Sequence, residues 1–143
     1  LASELGDSRW RDTLKTHKYV AEQAVSAHRG RMVKFTGDGV LATFDGPARA
    51  IRCAMAVRDS SRQSGLEIRA GVHTGEVELM GDDVGGIAVH IAARVAARAQ
   101  ASEVLASSTV KDLVAGAGLR FVEQGPAELK GLSEPMRLFS AVT

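Results

Sequence analysis

Residues 33 to 44, VKFTGDGVLATF, carry the pattern that decides the fold. Two apolar segments flank a Gly37-Asp38-Gly39 tip, and Asp-Gly between alternating segments is a strong signal for an antiparallel hairpin. Asp38 can be a turn residue, or its carboxylate can be displayed at the tip as a metal ligand, and the residues alone leave both open. Lys34 is expected on the solvated face of the first strand, since its neighbours on both sides are apolar.

The rest of the chain predicts helices and strands that alternate and are joined by short connections. Apolar residues at helical spacing predict helices over residues 7–30, 46–65, 86–99 and 108–116. Alternating or continuous apolar segments predict strands over residues 66–81, 102–107, 119–125 and 135–142. This order favours one α+β domain, a sandwich in which helices cover one face of a mixed, mostly antiparallel sheet.

The composition is that of one globular domain. The 143 residues are 45% hydrophobic and 24% charged, with a formal net charge of +1, and the chain is too short for two ordinary domains. Charges of both signs are mixed along the chain, which gives little support for nucleic-acid binding or direct membrane insertion. The single cysteine, Cys53, cannot form an internal disulfide and is expected to be a buried thiol. A reducing cytoplasm is the simplest compartment.

Two further stretches place charged residues beside glycines. In GDDVGGIAVHIAARV, residues 81–95, His90 and Arg94 are four apart and therefore share one helical face. Such an arginine is either an ordinary solvated charge or a group that faces a cleft or a partner, because the helix around it is apolar. In ELKGLSEPMRLF, residues 128–139, Lys130 lies in a turn between two strands, where it is either an ordinary exposed charge or a phosphate ligand.

Together these stretches resemble the catalytic domain of the class III nucleotide cyclases, the adenylyl and guanylyl cyclase family. The resemblance covers nearly the whole chain, from Leu5 to Val142, and residues 35–54 and 71–79 are similar to the actinobacterial branch in particular. It rests on the order and spacing of Lys34, the Gly37-Asp38-Gly39 tip, Asp83, Arg94 and the Leu129-Lys130-Gly131 turn. It implies a ferredoxin-like core and a head-to-tail homodimer that converts a nucleoside triphosphate into a 3′,5′-cyclic monophosphate and pyrophosphate.

The resemblance also implies a role for each site residue. Asp38 would be a carboxylate ligand for Mg²⁺ or Mn²⁺, of which the family uses two ions. Lys34 and Asp83 match the pair that selects the purine, and the pair favours ATP because a cation donates to adenine N1 while a carboxylate accepts from the adenine amine. Arg94 matches the arginine that stabilises the transferring phosphoryl group, and Lys130 matches the lysine that binds the terminal phosphates. Each site would combine Asp38 of one chain with the other residues of its partner.

One departure from the family pattern concerns the ribose. His90 stands where the family has an asparagine that orients this sugar. An imidazole can donate one such hydrogen bond, or His90 simply packs and catalysis is weak. The main alternative to an adenylyl cyclase is therefore a catalytically weak or silent nucleotide-binding and dimerisation module of a signalling protein. Guanylyl cyclase is the alternative substrate assignment.

The second departure concerns the first strand of the family fold, which lies in the middle of the sheet and bears the other metal aspartate. Residues 1–143 contain no counterpart of it. The chain is therefore expected to be a single cyclase domain that is incomplete at its N-terminus and comes from a longer polypeptide with regulatory domains. The central sheet is expected to be interrupted beside the Asp38 hairpin.

Overall fold

The structure is a computed structural model that describes residues 2–36 and 39–142. In chain order the elements are α1 (Ala2–Ala27), β1 (Gly30–Thr36), β2 (Gly39–Phe44), α2 (Pro47–Gln63), β3 (Arg69–Val72), β4 (Glu78–Met80), β5 (Asp83–Gly85), α3 (Ile87–Arg98), β6 (Glu103–Ser107), α4 (Ser108–Leu113), β7 (Arg120–Ala127) and β8 (Met136–Val142). The predicted order of helices and strands is confirmed, with the short strand β5 added.

The described strands form one larger sheet and two hairpins. The larger sheet has the order β3-β6-β8-β7, in which β3 and β6 are parallel and the other neighbours antiparallel. The hairpins β1-β2 and β4-β5 are separate antiparallel pairs. The prediction of an α+β domain with mostly antiparallel pairing is therefore confirmed.

Helices cover both faces of the larger sheet, which corrects the prediction that they cover one. Val104 and Ala106 of β6 pack with Ile51 of α2 and with α4, whereas Leu105 packs with Ile91 and Val95 of α3. Successive residues of a strand point to opposite faces. The central strand β6 is apolar at all three of these positions because both of its faces are buried.

The hairpin β1-β2 is held by helices rather than by the larger sheet. Its apolar residues Met32, Ala42 and Phe44 pack on Cys53 of α2 and Val25 of α1. Among the described strands it pairs with neither of the other sheets, as expected for a sheet that is interrupted beside this hairpin. Whether a strand from outside residues 1–143 fills this interruption stays a prediction.

Gly71 of β3 marks the place where helix α3 comes closest to the sheet. A Cβ atom added there would collide with the backbone of α3 at Ala96 N and would lie 2.7 Å from Ala92 O and from Ala96 Cα. Only glycine allows a strand and a helix to approach this closely. Within the described residues, no helix is both long enough and apolar enough to cross a membrane.

Candidate functional site

The predicted base-selecting residues meet although they are 49 positions apart. The Nζ atom of Lys34 on β1 donates to Oδ2 of Asp83 on β5 over 2.9 Å. The other carboxylate oxygen, Oδ1, accepts from the backbone N–H of Val84 over 2.7 Å. The two side chains are 45% and 42% exposed, so the pair lies at the surface and is accessible to a ligand.

A bulge in β1 directs the side chain of Lys34 toward Asp83. The register between β1 and β2 shifts between Met32 and Lys34, so Val33 is the extra residue of the longer strand. Bulges commonly redirect a side chain near a functional site. Lys34 is exposed whereas Val33 and Phe35 are partly buried, as the alternation in the sequence predicts.

The carboxylate of Asp83 is ionised at neutral pH. The hydrogen bond from Lys34 lowers the pKa of Asp83 most, and the backbone hydrogen bond from Val84 lowers it further. Both act by stabilising the charged form. Asp83 therefore accepts hydrogen bonds and donates none, which is the property that a selector for an exocyclic amine needs.

His90, Arg94 and Arg98 occupy one face of α3 at intervals of four residues, and the turn that carries Lys130 lies against this face. Nε2 of His90 donates to the backbone carbonyl oxygen of Lys130 over 2.9 Å. Since a carbonyl oxygen can only accept, this nitrogen must carry the hydrogen. Nη2 of Arg98 donates to the carbonyl oxygen of Glu128 over 2.8 Å. The turn is thus attached to α3 at both ends.

Arg94 and the ammonium of Lys130 are available for a ligand. Within the described parts of the chain, neither side chain has a hydrogen bond or an ion pair. Arg94 is partly buried on α3, while Lys130 is exposed on the turn. An open depression of about 450 Å³ is lined by residues 128–135, including Lys130. Lys130 lies on the turn, and Arg94 lies on the helix to which the turn is attached. Two cations placed in this way suit an anion with several charges.

The predicted metal ligand, Asp38, lies outside the described residues. On either side of it, Thr36 of β1 pairs with Gly39 of β2. The described ranges contain no group of three or more His, Cys, Asp or Glu side chains that could hold a metal ion. The carboxylate of Asp83 is already paired with Lys34. The described side chains alone therefore do not fit a divalent cation.

The hairpin β4-β5 and the start of α3 expose large apolar side chains. Leu79, Met80 and Ile87 are 72%, 52% and 58% exposed, and Val77 is exposed beside them. Solitary exposed apolar residues are normal, but several on one neighbouring stretch indicate a contact surface. Because β5 also carries Asp83, this surface adjoins the Lys34–Asp83 pair.

Two residues of this region, Arg98 and His73, have no distinguishing pattern in the sequence. Arg98 was not predicted to have a role, because an arginine in the last turn of a helix ordinarily is a solvated charge. The sequence likewise predicts no role for His73, just after β3, whose Nδ1 is hydrogen-bonded to the buried Ser107 hydroxyl at 2.7 Å. Burial lowers the pKa of His73. A separate cavity of about 260 Å³ between α1 and α2 contains none of the predicted site residues.

Comparison with known proteins shows which protein family this chain is similar to. Residues 7–141 match the family model described as the adenylate and guanylate cyclase catalytic domain. The chain is 32% identical to the provisionally named adenylate cyclase 3 of Rhizobium meliloti (strain 1021) and 31% identical to an uncharacterized protein of Mycobacterium tuberculosis (strain ATCC 25618 / H37Rv), with 97% of the chain covered in each case. It spans only 27% and 37% of the lengths of these two relatives.

A solved structure has the same fold. The crystal structure titled adenylate/guanylate cyclase/hydrolase from Silicibacter pomeroyi superimposes with a TM-score of 0.86 at 26% identity. The superposition covers 99% of this chain and 89% of that one. Since a rhizobial and a mycobacterial relative match about equally well, the particular similarity to the actinobacterial branch of the family stays a prediction.

Proposed function

The chain belongs to the adenylate and guanylate cyclase catalytic-domain family, and from this premise we propose that it converts ATP into 3′,5′-cyclic AMP and pyrophosphate. The observation that carries the choice of ATP is the Lys34–Asp83 pair at 2.9 Å. It sets one hydrogen-bond donor and one acceptor side by side at an accessible surface. That arrangement is complementary to one purine and not to the other.

Adenine presents an acceptor at N1 and a donor at its exocyclic amine. Lys34 has three N–H donors and uses one on Asp83, so it can donate to N1 as well. The Asp83 carboxylate can accept from the amine through its remaining lone pairs. Guanine presents an N1–H donor and a carbonyl acceptor instead, which would set donor against donor and acceptor against acceptor. The pair therefore discriminates by penalising guanine as well as by attracting adenine.

The triphosphate is proposed to bind the two unpaired cations. In the reaction the ribose 3′-oxygen attacks the α-phosphorus, the bond from that phosphorus to the bridging oxygen breaks, and pyrophosphate leaves with the electron pair. Arg94 would stabilise the negative charge that develops on the phosphoryl oxygens, and Lys130 would bind the leaving pyrophosphate. The hydrogen of the 3′-hydroxyl passes to solvent.

Class III cyclase domains depend on a divalent cation, commonly Mg²⁺ or Mn²⁺. We retain Asp38 as the proposed carboxylate ligand because a hard cation takes oxygen donors and a hairpin tip exposes them. The described residues do not complete such a site, and no step above is assigned to the metal.

A second copy of the chain is the proposed partner. The exposed apolar residues of β4, β5 and the start of α3 adjoin the Lys34–Asp83 pair, where a neighbouring chain could add Asp38 to the site. In this arrangement a monomer holds only half-sites. A cytoplasmic location and regulation by other domains of a longer polypeptide belong to the same proposal.

A product assay tests the proposed activity. The full-length protein is incubated with ATP or GTP and Mn²⁺, and the nucleotides are separated by chromatography. We expect cyclic AMP from ATP and little cyclic GMP from GTP. Arg94→Ala should abolish turnover, whereas Arg62→Ala, which removes another helical arginine, should retain it. Cyclic GMP as the main product would reassign the substrate. Nucleotide binding without a cyclic product would instead favour the silent nucleotide-binding module.

Mixing two inactive variants tests the shared site. Asp38→Ala and Arg94→Ala should each be inactive, but the mixture should regain activity because one site of the heterodimer receives both intact residues. Heterodimers are detected with two affinity tags. If tagged heterodimers are present and no activity returns, the active site is not shared between two chains.

A further inference from the structure

The turn that carries Lys130 is fixed to helix α3 at three points. Nε2 of His90 binds the Lys130 carbonyl and Nη2 of Arg98 binds the Glu128 carbonyl. Between these two, the side chain of Leu129 is 4% exposed and packs with Ile91 and with other buried residues under the helix. A turn held by two hydrogen bonds and one buried side chain has few alternative positions.

The same three contacts fix the position of the turn that carries Lys130 relative to Arg94 on α3. His90 lies one helical turn before Arg94 and Arg98 lies one turn after it, so all three share a face. The turn is therefore attached to α3 one helical turn before Arg94 and one helical turn after it, and within the described residues it makes no hydrogen bond with that arginine. Arg94 and Lys130, whose side chains have no hydrogen bond or ion pair with the rest of the described chain, are those proposed to bind the triphosphate.

Glycine at position 131 is part of the same arrangement. Gly131 has a φ of +95°, which side-chain-bearing residues rarely adopt. A Cβ atom at this position would also lie 3.0 Å from Nε2 of His90. The backbone of the turn therefore lies so close to the imidazole that glycine is the residue that fits at position 131 without strain.

We propose that His90 and Arg98 are positioning residues, which clamp the Glu128–Gly131 turn to α3 and so hold Lys130 at the distance from Arg94 that a polyphosphate requires. His90 acts through Lys130 rather than on the ribose, because the nitrogen that could reach outward, Nε2, already donates to the Lys130 carbonyl. Arg98 acts at the other end of the turn. The part of the proposal that concerns catalysis rests on the proposed cyclase function, whereas the clamp itself does not.

Paired substitutions at His90 separate the two roles. The amide nitrogen of glutamine reaches as far as Nε2 of histidine, whereas that of asparagine reaches only as far as Nδ1. His90→Gln should therefore keep the turn in place, and His90→Asn and His90→Ala should release it. If His90 instead orients the ribose as the family asparagine does, His90→Asn should be the better variant.

A matched pair of arginines tests the other end of the clamp. Arg98→Ala removes a guanidinium that donates to a loop carbonyl, that of Glu128. Arg52→Ala removes the same kind of hydrogen bond, to the Ala117 carbonyl, in a different part of the molecule. Both variants lose one positive charge and one hydrogen bond. Only Arg98→Ala should affect the turn.

Two measurements on the full-length protein provide the readouts, and neither needs turnover. The Leu132 N–H donates to the Leu129 carbonyl within the turn, so its hydrogen exchange should accelerate in His90→Ala, His90→Asn and Arg98→Ala. Calorimetric binding of inorganic tripolyphosphate should weaken roughly three- to tenfold in the same variants, the effect of about one net hydrogen bond. Binding of AMP, which lacks the terminal phosphates, should be unchanged.

The outcomes decide between the roles. Accelerated exchange and weaker tripolyphosphate binding in these variants, with His90→Gln and Arg52→Ala like the wild type, support the clamp even if the protein fails to cyclise ATP. Wild-type exchange in His90→Ala and Arg98→Ala overturns it. Better activity of His90→Asn than of His90→Gln assigns His90 to the ribose and overturns it as well. Should His90→Ala not fold, Arg98→Ala on the surface answers the question by the same two measurements.

Discussion

Substitution of Gly71 by alanine should displace helix α3 from the sheet. The added Cβ would meet backbone atoms of Ala92 and Ala96, two of them at 2.7 Å, and backbone cannot rotate away as a flexible side chain can. Separation of α3 from β3 is the way to relieve the overlap. Because α3 carries both Arg94 and His90, the same displacement should reach the site.

The loss of stability expected for Gly71→Ala follows from the packing around this residue. An extra carbon forced into a close-packed interior typically costs about 1–3 kcal/mol, and contact with backbone places Gly71→Ala toward the upper end. At about 2–4 °C per kcal/mol for a domain of this size, the melting temperature should fall by roughly 5–12 °C. The kcat should also fall at temperatures far below the transition, since Arg94 on α3 no longer lies at its original distance from Lys34 on β1.

Gly6→Ala is the matched control. Gly6 lies within α1, is exposed, and would place its Cβ in open space. Alanine in an exposed helical position is preferred over glycine by about 0.5–1 kcal/mol, so the same substitution should here raise the melting temperature slightly. Differential scanning calorimetry and the cyclic-nucleotide assay are applied to both variants. A melting temperature and kcat of Gly71→Ala equal to those of the wild type would refute the close approach of α3 to β3.

Three further predictions concern the selector pair, a buried histidine and the interrupted sheet. Lys34→Glu combined with Asp83→Ala should weaken the use of ATP and admit GTP. The free-energy difference by which the protein prefers ATP over GTP should fall by on the order of 2–4 kcal/mol. An unchanged ratio of the kcat/KM values for the two nucleotides would mean that the base is recognised elsewhere. Because burial lowers the pKa of His73 below its usual 6.5, its neutral form is favoured in the folded state. The associated stability is present above pH 6.5 and is lost as the pH falls from there through the lower pKa of the folded state. The melting temperature should therefore drop more between pH 7.5 and 5.5 in the wild type than in His73→Asn, and equal drops would contradict this. Finally, hydrogen exchange can be compared between residues 1–143 alone and a longer polypeptide that contains the family's first strand. In the longer polypeptide, backbone N–H groups of β2 or β3 should exchange more slowly. Identical exchange in the two would mean that the added strand does not fill the interruption in the sheet.

The parts of the fold that the sequence predicts are those with a local cause. Pro47 occupies the first turn of α2, where its missing N–H costs nothing. The hairpin over residues 33–44 forms where its turn residues predict it. Helices on both faces could also have been predicted, since a strand that is apolar at consecutive positions, as at Val104 and Leu105, is buried on both sides.

The parts that escaped prediction depend on contacts between distant segments. β5 has three residues, too few for a periodic pattern, and its first residue, Asp83, and the preceding Asp82 favour a loop. Only the resemblance to the cyclase family links Lys34 to Asp83, because no local rule brings together residues 49 positions apart. Arg98 looks like any exposed arginine until the turn that packs against it is placed.

The burial of Cys53 makes the molecule convenient for site-directed spectroscopy. This thiol is 3% exposed, and burial raises its pKa to about 11, so almost none of it is the reactive thiolate at neutral pH, whereas an ordinary exposed cysteine has a pKa near 8.5. A spin label or fluorophore attached to a cysteine introduced at an exposed position such as Lys15 should therefore be the only probe on residues 1–143 under native conditions. Distances between identical probes on two copies would then report directly on how the copies are arranged, with the native cysteine left in place.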